Sequence, residues 1–214
     1  MKAQSAQDAF YDELSAAHGS VFCTHHPSGP DQHCSGCISN AEGAFMRACR
    51  TWERFLFELL TELIAGCRTQ HDHLYFVTSR FPQPSVQDAR RELLRSRVRN
   101  GFFQLRSSPG RYLLLHSPAT IIAVADYWLE SSSVSAIVIA HQTDIDDVIR
   151  LRHGAAHGSD DAQAGMRSVL VRLDPLRLYP SLGSYLLSRP PGGGDTQFER
   201  ILTQFFNWAI EMSP

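Results

Sequence analysis

One stretch constrains the fold more than any other: "NAEGAFMRACRTWERFLFELLTELIAGC", residues 40–67. Phe45, Cys49, Trp52, Leu56, Leu59 and Leu63 recur at three- and four-residue steps, the period of an amphipathic helix. Asn40 offers an N-cap and Gly66 a stop. A helix this long, apolar over so wide a face, must be covered by other helices and is expected at the centre of a bundle.

The rest of the chain supplies them. Residues 3–17 read as a short amphipathic helix, and "SVQDARRELLRSRVRN" returns to helical spacing behind Ser85. Residues 117–131 and 134–157 read as two helices separated by serines, and "DTQFERILTQFFNWAIEM" closes the chain behind Asp195. "HDHLYFVTSRF" is strand-like and is stopped by Pro82 and Pro84. "GFFQLRSSPGRYLLLH" holds a turn at Ser108-Pro109-Gly110, consistent with a small hairpin insertion. "SVLVRLDPLRLYPSLGSYLLSR" stays ambiguous between its prolines. The expectation is an all-α, antiparallel helical bundle over residues 1–214 as one domain, with a turn-rich Cys/His loop at 18–38.

Net charge is −2, which excludes a generally basic nucleic-acid binder and leaves only local contacts. Lys2 is the single lysine, so positive charge is almost all arginine. No apolar run reaches membrane length, since "ATIIAVADYWLE" is interrupted by Asp126. The first residues lack a signal-like core, and five cysteines without one argue for reduced thiols, hence a cytoplasmic protein.

Three constellations carry possible chemistry. "VIRLRHGAAHGS" places Arg150, Arg152, His153 and His157 near a helix end. His153 and His157, four apart, share a face, while Arg152 and His157 differ by about 140° and roughly 7.5 Å. The bare Gly154, Ala155 and Ala156 flank admits another backbone, a second subunit or a ligand. Basic residues before a glycine also suit the helix dipole, an ordinary end for a helix. The chemical alternative is metal-free RNA cleavage, which needs a group titrating near neutrality and a fixed cation for the transition state.

The second constellation is "CTHHPSGPDQHCSGC", in which Cys23, His25, Cys34 and Cys37 are candidates for a structural zinc site. Its crowded, uneven spacing equally suits a polar loop with incidental thiols. In the third, Arg91, Arg95 and Arg99 recur at four-residue steps and would form a helical stripe. Such a stripe is either a solvated face or a track for RNA phosphates.

"RHGAAHG", late in a helical chain, resembles the Arg-x4–6-His motif of the HEPN superfamily, with Arg152 and His157 in the motif positions and His153 as its polar residue. "TWERFLFELL" is similar to the first large helix of the RiboL-PSP-HEPN branch through Trp52, Glu53 and Phe55. The two matches lie about a hundred residues apart. The resemblance implies a metal-independent endoribonuclease of toxin or antiviral-defence type, without a cofactor, acting on RNA as a homodimer that pools two motifs. Arg152 and His157 would be catalytic and His153 supporting, and an antitoxin or regulatory protein would restrain the enzyme. Members silenced by tyrosine modification carry tyrosine two positions after the motif histidine; this chain has Ser159 there, so that control is not implied. The alternative reading is a non-catalytic helical module that binds RNA or a protein.

Overall fold

The computed structural model describes residues 4–21, 34–66, 85–99, 102–110, 113, 115–130 and 133–212. It is an all-α helical bundle with one small hairpin among these residues. In chain order the elements are α1 (Gln4–Gly19), α2 (Ser35–Ile64), α3 (Val86–Arg95), β1 (Ser96–Arg99), β2 (Phe102–Leu105), α4 (Pro118–Trp128), α5 (Ser133–Ala140), α6 (Gln142–Ala156), α7 (Asp160–Leu173), α8 (Leu182–Leu187) and α9 (Gln197–Met212).

The apolar stripe of α2 behaves as its spacing demands. Phe45, Cys49, Trp52, Leu56, Leu59 and Leu63 are all buried, and Gly66 ends the helix region with φ +69°, a conformation glycine adopts without strain. The start differs from expectation. α2 begins at Ser35, so Asn40 is an interior, exposed residue and not the cap. The Cys37 N–H instead donates to Cys34 Sγ (3.3 Å) at the helix entrance. Residues 35–38 of the expected loop are therefore helical, while 22–33 lie outside the described residues.

The chain gathers into two compact units, and α1, α2, α6 and α9 each contribute to both. The first comprises Met1–Phe10, Trp52–Asp146 and Asn207–Pro214. Its core is aromatic: Phe10 stacks on Phe55 (4.7 Å between centroids), and Trp52 meets Trp208 (5.6 Å). α4 starts at an N-cap, Ser117, with Pro118 in the first turn, where a missing N–H is harmless. Between α4 and α5, Ser135 donates to Asp126 Oδ1 (2.5 Å).

The hairpin belongs to this unit but lies earlier than the sequence suggested. α3, capped by Ser85 as expected, ends at Arg95, and the "SRVR" read as helix is β1. β1 and β2 pair antiparallel, Ser96 with Leu105, Arg97 with Gln104, Val98 with Phe103 and Arg99 with Phe102. One face is anchored. Trp128 Nε1–H donates to the buried Ser96 hydroxyl (2.9 Å), and Phe103 stacks on Tyr127 (3.7 Å). "HDHLYFVTSRF" lies outside the described residues.

The second unit comprises Tyr11–Thr51 and Asp147–Phe206. Its buried residues include Leu14, Phe45, Leu151, Val169, Leu186, Phe198 and Phe205. α8 approaches α2 so closely that a Cβ on Gly183 would stand 2.3 Å from the Ile38 carbonyl oxygen; the Gly183 N–H donates to Glu42 (2.9 Å). The helix expected over 134–157 divides at His141 into α5 and α6. α9 is capped by Thr196, not Asp195. The Thr196 N–H donates to Glu199 (2.7 Å) and the Glu199 N–H to the Thr196 hydroxyl (3.2 Å), a reciprocal capping box. Among the described residues, no helix is long and apolar enough to cross a membrane.

Candidate functional site

The Arg/His cluster lies at the C-terminal end of α6, wholly in the second unit. His153 is in the last turn, and His157 follows the final helical residue, its N–H still donating to the His153 carbonyl (3.0 Å). Both imidazoles are exposed, and their centroids are 4.6 Å apart with planes tilted by 57°. Helical geometry turns Arg152 about 100° away from His153. Arg152 is half-buried, its Nε withdrawn from solvent. The observed pair is thus imidazole with imidazole, supporting the expected shared face.

α7 braces this end. Its Gln163 side chain donates from Nε2 to the carbonyls of Gly154 (2.7 Å) and His157 (3.3 Å), satisfying oxygens that a terminating helix leaves over. A Cβ on Gly154 would sit 2.4 Å from Met166 Cβ and 3.0 Å from the Ala162 carbonyl oxygen. The glycine of the bare flank is therefore consumed by α7 of the same chain, which corrects the idea that the whole flank is open to a second backbone. Ala155 and Ala156 remain exposed. Ser159 is the N-cap of α7 and accepts from the Ala162 N–H (3.4 Å). Further back, the buried Asp147 of α6 pairs with Arg172 of α7.

The expected arginine stripe does not form. α3 ends at Arg95, whose guanidinium holds Glu92 (2.8 Å) and donates from Nε to the Arg106 carbonyl (2.8 Å). Arg91 is exposed on the helix, and Arg99 is on β1, governed by a two-residue period. Four-residue spacing cannot align residues across a helix-to-strand change.

Of the zinc candidates, Cys23 and His25 lie outside the described residues. The Cys34 and Cys37 sulfurs are 3.2 Å apart, with Cys37 buried. Among the described residues, no group of three or more His, Cys, Asp or Glu is placed to hold a metal.

Sequence reasoning missed two features. A cavity of about 330 Å³ runs along α1 and α9, lined in part by Tyr11, Leu14, Leu202 and Phe206, with His18 and Glu199 (3.3 Å apart) among its polar groups. Burial works against ionisation of Glu199, but hydrogen bonds from the Thr196 N–H and hydroxyl and from His18 hold its carboxyl below the usual range. The Thr-x-x-Glu spelling of the capping box was the available signal. The other is Glu62 on α2, whose buried Oε2 has no hydrogen-bond partner among the described residues. Burial, and then the Glu58 carboxylate, push its pKa from 4.5 up to about 7. A carboxylate one position before Leu63 of an apolar stripe gives no sequence sign of that burial.

No family model, no curated protein and no solved structure matches this chain.

Proposed function

We propose that the end of α6 is the centre of a metal-independent endoribonuclease. The observation that carries this reading is the pair of exposed imidazoles 4.6 Å apart, held by a braced helix end beside a half-buried arginine. In the reaction, the 2′-oxygen bonds to the adjacent phosphorus while the bond to the 5′-oxygen breaks. The 2′-hydroxyl proton leaves to a base and the departing oxygen gains one from an acid, giving a 2′,3′-cyclic phosphate and a 5′-hydroxyl. His157 carries the proton transfer, the general acid–base role open to an imidazole. Arg152 stabilises the charge on the phosphorane-like transition state, and His153 supports His157.

In this reading two copies form a homodimer in which one site supplies the base and the other the acid. An antitoxin or other regulatory protein restrains the activity in a toxin or antiviral-defence setting, in the cytoplasm. The resemblance in "RHGAAHG" and "TWERF" supports the class. A second reading, a non-catalytic helical module binding RNA or protein, draws on the Gly154–Met166 contact and the Ser159 cap, both sufficient structural reasons for small and polar residues there. Single-turnover cleavage of single-stranded RNA by the purified protein in EDTA, with analysis of the product ends, separates them. Cyclic-phosphate ends lost in a folded His157→Ala variant support the nuclease; uncut RNA leaves the module.

A further inference from the structure

The outward face of the hairpin has the makings of a binding surface. Strand alternation turns Ser96, Val98 and Phe103 toward the anchored side and leaves Arg97, Arg99, Phe102 and Gln104 on the other. Arg97, Arg99 and Gln104 are exposed, and Phe102 is 73% exposed. Pairing puts Gln104 opposite Arg97 and Phe102 opposite Arg99, so four side chains form a compact grid. Partners across the strands stand about 4.5–5.5 Å apart at Cβ. The two arginines, two residues apart, stand about 6.8 Å apart along the strand. That is comparable to the step between neighbouring phosphates of an extended single strand.

The charge here is uncompensated. Arg90 is paired with Glu58, and Arg95 with Glu92, whereas the side chains of Arg97 and Arg99 have no ion-pair or hydrogen-bond partner among the described residues. From Leu93 to Ala125 the chain carries five arginines and a histidine but no carboxylate. The carboxylates flanking that run are engaged, Glu92 with Arg95 and Asp126 with the Ser135 hydroxyl. In a chain of net charge −2, this is a local concentration of cations beside an exposed aromatic ring. A protein partner would need a matching acidic and apolar patch. A single-stranded nucleic acid offers repeating phosphates for the guanidiniums and, for the ring, a base whose π-face needs no particular sequence. A duplex keeps its bases stacked inside and offers Phe102 nothing.

We propose that this face binds single-stranded nucleic acid, with Arg97 and Arg99 on consecutive phosphates, Phe102 stacked on a base, and Gln104 hydrogen-bonding the strand. The proposal does not depend on the cleavage chemistry, because it requires no 2′-hydroxyl. Its test is fluorescence anisotropy of the full chain with labelled single-stranded oligodeoxythymidylate, which the proposed nuclease cannot cut, over a range of salt concentrations. The Arg97→Gln/Arg99→Gln variant is expected to flatten the plot of log affinity against log salt by about 1.4, from about 0.7 per phosphate contact. Phe102→Ala is expected to weaken binding about tenfold at fixed salt with an unchanged slope. Arg91→Gln, off this face, should leave the slope as in wild type. All four side chains are exposed, and equal melting temperatures check that the variants fold. No binding at low salt, an unchanged slope in the double variant, or wild-type affinity in Phe102→Ala would each overturn the proposal. Phe102-dependent binding to phosphatidylserine vesicles, without binding to the oligonucleotide, would reassign the face to a membrane surface and overturn it too.

Discussion

The end of α6 and the outer face of the hairpin both display basic side chains, yet they are built on opposite plans. At the end of α6 the surroundings are fixed: Gln163 holds two carbonyls, Met166 fills the space over Gly154, and Arg152 is half withdrawn from water. On the hairpin, Arg97 and Arg99 extend into solvent from a backbone anchored only on its other face. The difference matches what the two proposed tasks would require. Moving a proton at a chosen atom needs groups held to within a fraction of an ångström, so the support around them matters as much as the groups. Collecting a flexible polyanion needs reach and unneutralised charge, and rigid partners would only remove both.

The largest effect that could break this contrast is on rate. His157→Ala is expected to lower single-turnover cleavage about 10²–10⁴-fold, with binding of oligodeoxythymidylate unchanged. Arg152→Lys should restore activity only in part, since an ammonium lacks the forked geometry of guanidinium. The hairpin double variant should do the reverse, weakening binding while saturating RNA is cut at the wild-type rate. If either variant moved both quantities together, the division of labour would be lost.

Next in size is a pH effect on the fold, which any pH–rate profile of the α6 site must allow for. Glu62, on α2 and in neither region, has its folded pKa raised from 4.5 to about 7. Between those values the folded chain holds a proton that the unfolded chain has lost. Stability from this group is therefore complete below about pH 4.5 and disappears as pH rises through 7. The difference is about 3.5 kcal/mol at about 1.4 kcal/mol per pKa unit. Denaturant melts at pH 5 and pH 8 should show the decline, and Glu62→Gln should largely abolish it by being the more stable protein at pH 8.

Gly154→Ala probes the brace directly. The added methyl would sit 2.4 Å from Met166 Cβ, so the α6–α7 contact must open, at about 1–3 kcal/mol of stability in chemical denaturation. Adding a methyl to the half-buried Gly165, where it would meet nothing within 4 Å, should not destabilise the protein. The smallest effect is expected for Gln163→Ala, about 1 kcal/mol for the hydrogen bonds lost from the helix end. Its cleavage rate should fall further than its stability suggests, because the His157 backbone loses an anchor. Equal rates for wild type and Gln163→Ala would show that the brace serves the fold alone.

What could be read from the sequence followed one rule. Where a single period dominated, as along α2 from Phe45 to Leu63, every residue of the pattern is buried, although burial near the end of the helix extends beyond it to Leu60, Thr61 and Glu62. Where two periods fitted the same letters, the wrong one was available. Arg91, Arg95 and Arg99 satisfy a helix, but Arg97 and Arg99 equally satisfy a strand, and the Trp128–Ser96 hydrogen bond that anchors the strand is contributed from 32 residues away. The dipeptide Asn100-Gly101, between "SRVR" and "FFQL", was the better hairpin signal than Ser108-Pro109-Gly110. The α6 end was legible as a cluster of basic groups, but its support was not. That Gly154 is occupied by Met166, and that Gln163 reaches back to two carbonyls, are facts of packing between successive helices that residue spacing does not encode.

The run from Leu93 to Ala125 without a carboxylate also bears on how the protein behaves in bulk. With an isoelectric point of about 6.5, the chain carries almost no net charge in mildly acidic buffer, but it is not electrically featureless there. That run holds five of the twenty basic residues and none of the twenty-two acids, so acids outnumber basic residues in the rest of the sequence. In dilute buffer near pH 6.5, where net repulsion is smallest, attraction between oppositely charged regions of neighbouring molecules is expected to raise turbidity. Added salt shortens the reach of that attraction to about 10 Å at 0.1 M, so the same preparation should clear as sodium chloride is raised, salting in before it salts out.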